Sequence, residues 1–273
     1  MKVVRDPIPA VGTTLANERG SVVTIGAFDG VHRGHRAVLR LVRELADARR
    51  LQAALVTFDR HPAEVVRPES APKLLTTLDH RLELLDATGL LDECVVLTFD
   101  EARSRESAAE FVNDLLVGIL HARLVVVGAD FHFGHRRGGN VALLEQMGAD
   151  LGFEVLGLGL VAPETGSVPS SSTRVRELLA EGAVAEAASV LGRPHELRGN
   201  LAEAELWVDP RMCLPAPGRY AGTVAESDRS ERDAVIGIGA GAHDSDVTVR
   251  PRGAEAPGGR AARVRFLARL GQG

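Results

Sequence analysis

With 273 residues, 45% hydrophobic and 25% charged, the chain has an ordinary globular composition, long enough for one large α/β domain or two smaller ones. Its net charge of −5 excludes the basic surplus expected of a nucleic-acid-binding surface. Cys94 and Cys213 stand far apart and outside any CxxC spacing, and Met1 to Ala10 lacks the apolar core of a signal peptide, so reduced thiols and a cytoplasmic location are expected.

Over the first two thirds, short β-branched runs alternate with amphipathic stretches. Ser21 to Ile25 predicts a buried strand, and Gly34 to Arg49 a helix with Val38, Leu41, Val42 and Leu45 as its apolar face. Strands are predicted at Ala53–Phe58, Cys94–Phe99, Leu124–Gly128 and Phe153–Leu160. The intervening helices are Leu78–Ala87, Ala108–Leu120 and Asn140–Leu151. Nearly continuous apolar strands joined by helices imply a parallel sheet covered on both faces. In such folds ligands sit beyond the carboxyl ends of the strands, where the candidate motifs fall. The apolar stretch Leu151 to Val161 is too short and Gly-broken to span a membrane.

After Ser170 two short helices follow, Thr173–Glu181 and Ala183–Leu191, punctuated by Gly182. From Gly192 the chain turns rich in Gly, Pro and Arg, with weak strands at Arg219–Ala225, Ala234–Ile238, Val247–Arg250 and Ala262–Leu267 and a predicted loop at Arg252–Arg260. This tail reads as a β module of roughly 75 residues, near the size limit for a self-stabilising core.

The chemistry concentrates at the turn Gly26-Ala-Phe-Asp-Gly-Val-His-Arg-Gly-His35. It follows the first buried strand and opens the first long helix, so its glycines and helix N-terminus suit close approach of phosphate. His32 and His35 bracket Gly34 and can donate hydrogen bonds to phosphate oxygens that gain charge as an anhydride breaks. Ser171-Ser-Thr-Arg-Val-Arg176 opens a helix; its hydroxyls suit an N-cap, while two arginines in the first turn oppose the helix dipole unless an anion lies beside them. Phe131 and Phe133 read as ligand contacts, with core plugs as the alternative. Asp59 and His61 are in a strand-end loop, as solvated turn residues or as ligand contacts. His132, His135, Arg136 and Arg137 form a basic cluster without the further ligands of a zinc site, and a basic flap over a nucleotide is expected there.

The turn resembles the HIGH-type signature of nucleotidyltransferases, and in its full length the adenylyltransferase half of the bacterial bifunctional riboflavin kinase/FAD synthetase family. Thr57-Phe-Asp-Arg-His-Pro62, Gly128-Ala-Asp-Phe-His-Phe-Gly134, Ser171 to Arg176 and Leu191-Gly-Arg-Pro194 agree in the same order. The resemblance, strong over residues 20–195, implies a Rossmann-like nucleotidyltransferase domain over 1–191. A shortened, β-barrel-like, degenerate riboflavin-kinase-like module would occupy 192–273. It implies catalytic roles for His32, His35 and Arg176, and ATP contacts at Gly26, Phe28, Asp29, Gly30, Gly34, Ser172 and Thr173. Flavin contacts would be Asp59, His61, Asp130 and Phe131, with no dedicated metal ligands. The implied reaction joins ATP and FMN into FAD and pyrophosphate, with Mg²⁺ accompanying ATP. Neither nucleic acid nor membrane is an expected partner, and an oligomer is compatible with the sequence.

Three departures stand out. The family's basic residue just before the serines is replaced by Val168 and Pro169, and the Pro-Thr-Ala-Asn of its kinase half occurs nowhere in the chain. Val247 to Glu255 offers no match for the kinase's catalytic Glu. Loss of riboflavin phosphorylation is therefore expected. The competing readings are a nucleotidyltransferase with another phosphate acceptor and a flavin- or nucleotide-binding pseudoenzyme with a regulatory role.

Overall fold

A computed structural model of the chain describes residues 1–7, 20–159, 171–227, 230–239, 247–251 and 259–271. Val168, Pro169 and most of the predicted Arg252–Arg260 loop lie outside them, as does Leu160. The chain divides into two compact units. One comprises Met1–Phe28, Gly34–Pro72 and Leu78–Ser167; the other comprises Asp29–Arg33, Lys73–Thr77 and Val168–Gly273.

The first unit is built on a parallel six-stranded sheet. In chain order its elements are β1 (Lys2–Arg5), β2 (Ser21–Ile25), α1 (Arg33–Arg49), β3 (Gln52–Phe58), α2 (Ala63–Val66), α3 (Leu78–Asp86) and β4 (Glu93–Leu97). There follow α4 (Glu101–Ser104), α5 (Ala108–Glu110), a π-helix (Phe111–Ile119), β5 (Ala122–Gly128), the hairpin β6 (His132–Phe133) and β7 (Gly139–Asn140), α6 (Val141–Leu151) and β8 (Glu154–Leu158). The sheet order is β1-β4-β3-β2-β5-β8. Strands β2 and β4 are buried at every position, the mark of a sheet covered on both faces. Succession reverses between β2 and β5, which places the switch point at the carboxyl ends of those two strands.

Two expectations about helices need correction. In α1 the fully buried stripe is Leu39, Val42 and Ala46, while Val38, Leu41 and Leu45 are only half-buried. The stripe is rotated by about one residue, centred on Val42 with Leu39 and Ala46 one turn to either side. The helix expected over Ala108–Leu120 is α-helical only for its capped first turn, where Ser107 and Glu110 form a capping box. It then widens to the π form, with the Leu120 amide donating five residues back to the Leu115 carbonyl at 2.9 Å. The buried Phe111, Leu115 and Ile119, with Val112 and Leu116, repeat every four residues, a spacing that suits the wider winding. The edge strand β1 was not foreseen; it pairs in parallel with β4.

The second unit holds α7 (Ser172–Glu181), α8 (Val184–Leu191) and β9 (His195–Ala202), β10 (Glu205–Val208), β11 (Gly218–Glu226), β12 (Arg232–Ile238), β13 (Val247–Pro251) and β14 (Arg260–Arg269). The six strands close into a barrel in the order β10-β13-β12-β11-β14-β9. The hairpin β9–β10 is not legible in the sequence because β9 shows no apolar alternation and β10 is only four residues long. Its two turn residues, Glu203 and Ala204, both take positive φ without a glycine to announce them. Tyr220, Val224, Ile236, Val247, Val264 and Phe266 fill the core, to which α7 and α8 contribute Val175, Leu179, Val184 and Leu191. Gly182 and Gly192 end the two helices in the left-handed conformation, as C-terminal glycines do.

Candidate active site

In the second unit the segment Asp29–Arg33 meets the strap Lys73–Thr77 and the start of α7. Asp29 is 3% exposed, and its carboxylate is fully engaged by protein donors. Oδ1 accepts from the Leu75 amide (3.1 Å), the Thr76 amide (3.0 Å) and the Thr76 hydroxyl (3.0 Å). Oδ2 accepts from the Leu75 amide at 2.9 Å and from Arg176 Nη2 at 2.6 Å. The Thr76 hydroxyl also accepts from the Gly30 amide at 3.2 Å, and Ser172 Oγ donates to the Asp29 carbonyl at 2.8 Å. Gly30 has φ +81°, and a Cβ there would stand 2.8 Å from Leu75 Cδ1. Both the positive φ and the close approach favour glycine at this position.

Arg176 is held along one edge. Its Nε donates to the Lys73 carbonyl at 2.6 Å and its Nη2 to Asp29. A guanidinium has five N–H donors, so three remain beyond these two bonds, enough to receive phosphate oxygens. Ser171 caps α7 by accepting from the Arg174 amide at 3.1 Å. Thr173 lies exposed in the first turn. His32 is buried, and burial pushes its imidazole down to about 4; Asp29 acts in the opposite direction, while Arg193 and Arg176 add to the lowering. His32 is therefore neutral at pH 7, a hydrogen-bond donor through one nitrogen only.

In the first unit the same turn leaves β2. Phe28 adopts φ +49° and stacks on His35, with ring centroids 4.5 Å apart and an interplanar angle of 28°. Gly26 admits that ring closely, since a Cβ would meet Phe28 Cε2 at 3.2 Å. Arg81, buried in α3, donates to the Ala27 carbonyl at 2.9 Å and to the Phe58 carbonyl, tying the ends of β2 and β3 together. Thr57 Oγ1 donates to the Ala27 carbonyl as well. Gly34, in the first turn of α1, is half-buried.

Asp59 and His61 are both engaged locally. Asp59 Oδ1 accepts from the Phe99 amide at 2.9 Å, and Asp59 pairs with Arg60 at 3.0 Å. Burial works against ionisation, yet the bonds from Arg60 and from the Phe99 amide hold this carboxyl below its usual range. His61 Nδ1 accepts from the Ala63 amide at 3.1 Å, at the entry to α2. Phe131 stacks on Phe133 at 5.4 Å and packs against the core, whereas Asp130 is exposed after β5. The basic cluster forms the β6–β7 hairpin. His135 is docked by its amide to the Glu106 carbonyl (2.7 Å), and exposed Arg136 and Arg137 take φ +52° and +60°. His132 Nδ1 lies 2.9 Å from Arg137 Nη2.

The strap is not singled out in the sequence, nor is Arg81, and Arg193 enters only within the matched string Leu191 to Pro194. Its signal, a Lys-Leu-Leu-Thr-Thr run between Pro72 and a helix start, reads as an ordinary N-cap approach. Among the described residues no group of three or more His, Cys, Asp or Glu could hold a metal ion, and no helix is long and apolar enough to cross a membrane. Both cysteines are unlinked; burial pushes the Cys94 thiol up to about 12 and the Cys213 thiol up to about 11.

Comparison with known proteins shows three kinds of likeness. Residues 14–174 match the family model described as FAD synthetase. The bifunctional riboflavin kinase/FMN adenylyltransferase of Escherichia coli K12 is 37% identical over 190 residues, covering 70% of this chain and 60% of that protein. The protein of the same description from Pseudomonas fluorescens is 39% identical over 183 residues, covering 67% of this chain and 58% of that protein. The match thus spans about 60% of the curated relatives' length. A solved structure, described as a macrolide-efflux protein from Streptococcus pneumoniae, superposes with a TM-score of 0.76 over 99% of this chain and 91% of its own. At 24% identity it shows a shared fold alone.

Proposed function

This chain belongs to the FAD synthetase family, and from that membership we propose that it transfers AMP from ATP to FMN. An FMN phosphate oxygen attacks the α-phosphorus and forms the new P–O bond. The bond from that phosphorus to the bridging oxygen breaks, and pyrophosphate leaves. Positioning and charge stabilisation suffice, without a covalent enzyme intermediate. The observation that carries this reading is the arrangement around Arg176, anchored by Asp29 and Lys73 with further N–H donors left for phosphate. Neutral His32, together with His35, donates to oxygens that gain charge, and Thr173 offers a hydroxyl at the start of α7, where Ser172, assigned to the ATP site as well, donates its own hydroxyl to the Asp29 carbonyl. Gly26, Phe28, Gly30 and Gly34 shape the turn for the nucleotide, and Asp59, His61, Asp130 and Phe131 are assigned to the flavin. Mg²⁺ fits as an ion carried by the ATP phosphates and water, where it shields phosphate charge, since the described residues supply no carboxylate cage.

The activity is assigned to residues 1–191, and 192–273 to a riboflavin-kinase-like barrel that has lost phosphorylation of riboflavin, with cytoplasmic location and ATP and FMN as small-molecule partners. Support for the loss is the absence of Pro-Thr-Ala-Asn from the sequence. The test is a pair of assays resolved by chromatography. FMN with ATP should yield FAD and pyrophosphate, and riboflavin with ATP should yield no FMN. Tight FAD binding without turnover would instead favour a regulatory pseudoenzyme, and transfer to a different phosphorylated acceptor would replace the substrate. His35→Ala should cut turnover by about 10²–10³; near-normal turnover would discard the mechanism.

A further inference from the structure

We propose that Asp29 and Thr76 are positioning residues for Arg176 and do not themselves touch the nucleotide. The inference rests on the reading of Arg176 as a phosphate-binding residue. A carboxylate has about four lone-pair sites. Those of Asp29 are taken up by the Leu75 and Thr76 amides, the Thr76 hydroxyl and Arg176, all within 3.1 Å. Nothing is left for a ribose hydroxyl or a metal ion, and a carboxylate facing phosphate would repel it. Sealed and neutralised by donors, Asp29 acts instead as a hub. It fixes the guanidinium edge of Arg176, and Thr76 passes the same constraint to Gly30 through its hydroxyl.

The hub is held from the barrel side of the same unit. Leu74 pairs with Met212 as an isolated parallel bridge, its amide donating to the Arg211 carbonyl at 2.8 Å and its carbonyl accepting from the Cys213 amide at 2.7 Å. Lys73 Nζ donates to the Pro210 carbonyl at 2.8 Å, and His195 Nε2 donates to the Cys213 carbonyl at 3.0 Å. The barrel therefore grips the strap whose next two residues hold Asp29. This gives the barrel a part in phosphate binding whether or not it phosphorylates anything.

ATP binding to the full chain, measured by titration calorimetry, tests the proposal independently of FAD formation. Asp29→Asn should weaken ATP at least about tenfold, as loss of a charged hydrogen-bond hub does. In an Arg176→Ala background the same substitution should weaken ATP no further, since its effect runs through the guanidinium. Further weakening of about tenfold in that background would overturn the proposal, because Asp29 would then act on the nucleotide directly. Should Asp29→Asn fail to fold, Thr76→Val carries the same cycle: weaker ATP binding alone, none added on Arg176→Ala, and recovery with Thr76→Ser. Unchanged ATP affinity in Thr76→Val, or no ATP binding by the unaltered chain, overturns it equally. An unaltered chain that binds ATP but makes no FAD would refute the proposed reaction while leaving this cycle intact.

Discussion

Two neutral buried histidines make the second unit sensitive to acid, and His195 provides the cleaner test because it lies outside the turn Gly26 to His35. Burial pushes His195 down to about 4 from the usual 6.5. The hydrogen bond to the Cys213 carbonyl opposes the shift, Arg193 adds to it, and Asp29 and Glu196 oppose it. Between pH 6.5 and pH 4 the unfolded chain binds a proton at this ring that the folded chain refuses. Stability is thus fully present above about pH 6.5 and falls as pH drops toward the folded value. By pH 4 the loss is about 3 kcal/mol for His195, and His32, held down to about 4 as well, adds a similar amount. His195→Gln retains an amide donor for the Cys213 carbonyl but cannot titrate. Urea denaturation of the full chain and of this variant at pH 7, 6, 5 and 4, followed by circular dichroism, reads the difference directly, since carboxylates contribute equally to both. The variant should lose about 3 kcal/mol less across the window. Parallel stability curves for the two proteins would refute a neutral buried imidazole at this position.

Gly30→Ala should lower stability by about 1–2 kcal/mol and weaken ATP, because it forces a Cβ onto a positive-φ residue and against Leu75; thermal shift and calorimetry measure the two effects. Gly222→Ala should destabilise the barrel by more than about 3 kcal/mol, since its Cβ would fall 2.1 Å from the Arg265 carbonyl oxygen at the bulge where β11 meets β14; the folded fraction in near-ultraviolet circular dichroism checks it. Arg136→Ala combined with Arg137→Ala should raise KM for ATP without loss of stability, the two side chains being exposed on the β6–β7 hairpin. Unchanged kinetics would dismiss that hairpin as a flap.

Sheet and helices were legible where burial dictates residue type. A strand sealed on both faces must be apolar throughout, so Val22, Val23 and Ile25 announce β2 without help from any partner. Where pairing alone makes the strand, the sequence is silent. β1 gains its place by parallel hydrogen bonds to β4 with three of its four residues exposed, and β9 carries Glu196, Arg198 and Asn200. The π winding after Glu110 was equally hidden, because a four-residue apolar repeat looks like a slightly irregular α-helix until the hydrogen bonds are seen.

At the site, one physical expectation was right in form and changed in content. Arg174 in the first turn of α7 and Arg176 just past it oppose the helix dipole, so an anion is expected beside them. The protein supplies anions of its own. Arg176 pairs with Asp29 at 2.6 Å, a buried carboxylate 147 positions earlier in the chain, and Arg174 pairs with Glu177 at 3.2 Å. The dipole penalty therefore no longer requires a ligand. What singles out Arg176 is that Asp29 fixes it along one edge while three N–H groups stay outside its two described bonds. On the proposed function, such a guanidinium would meet an arriving phosphate with little orientation left to lose. No local pattern could reveal this, because the strap, the turn and the helix start that create it are brought together only by folding.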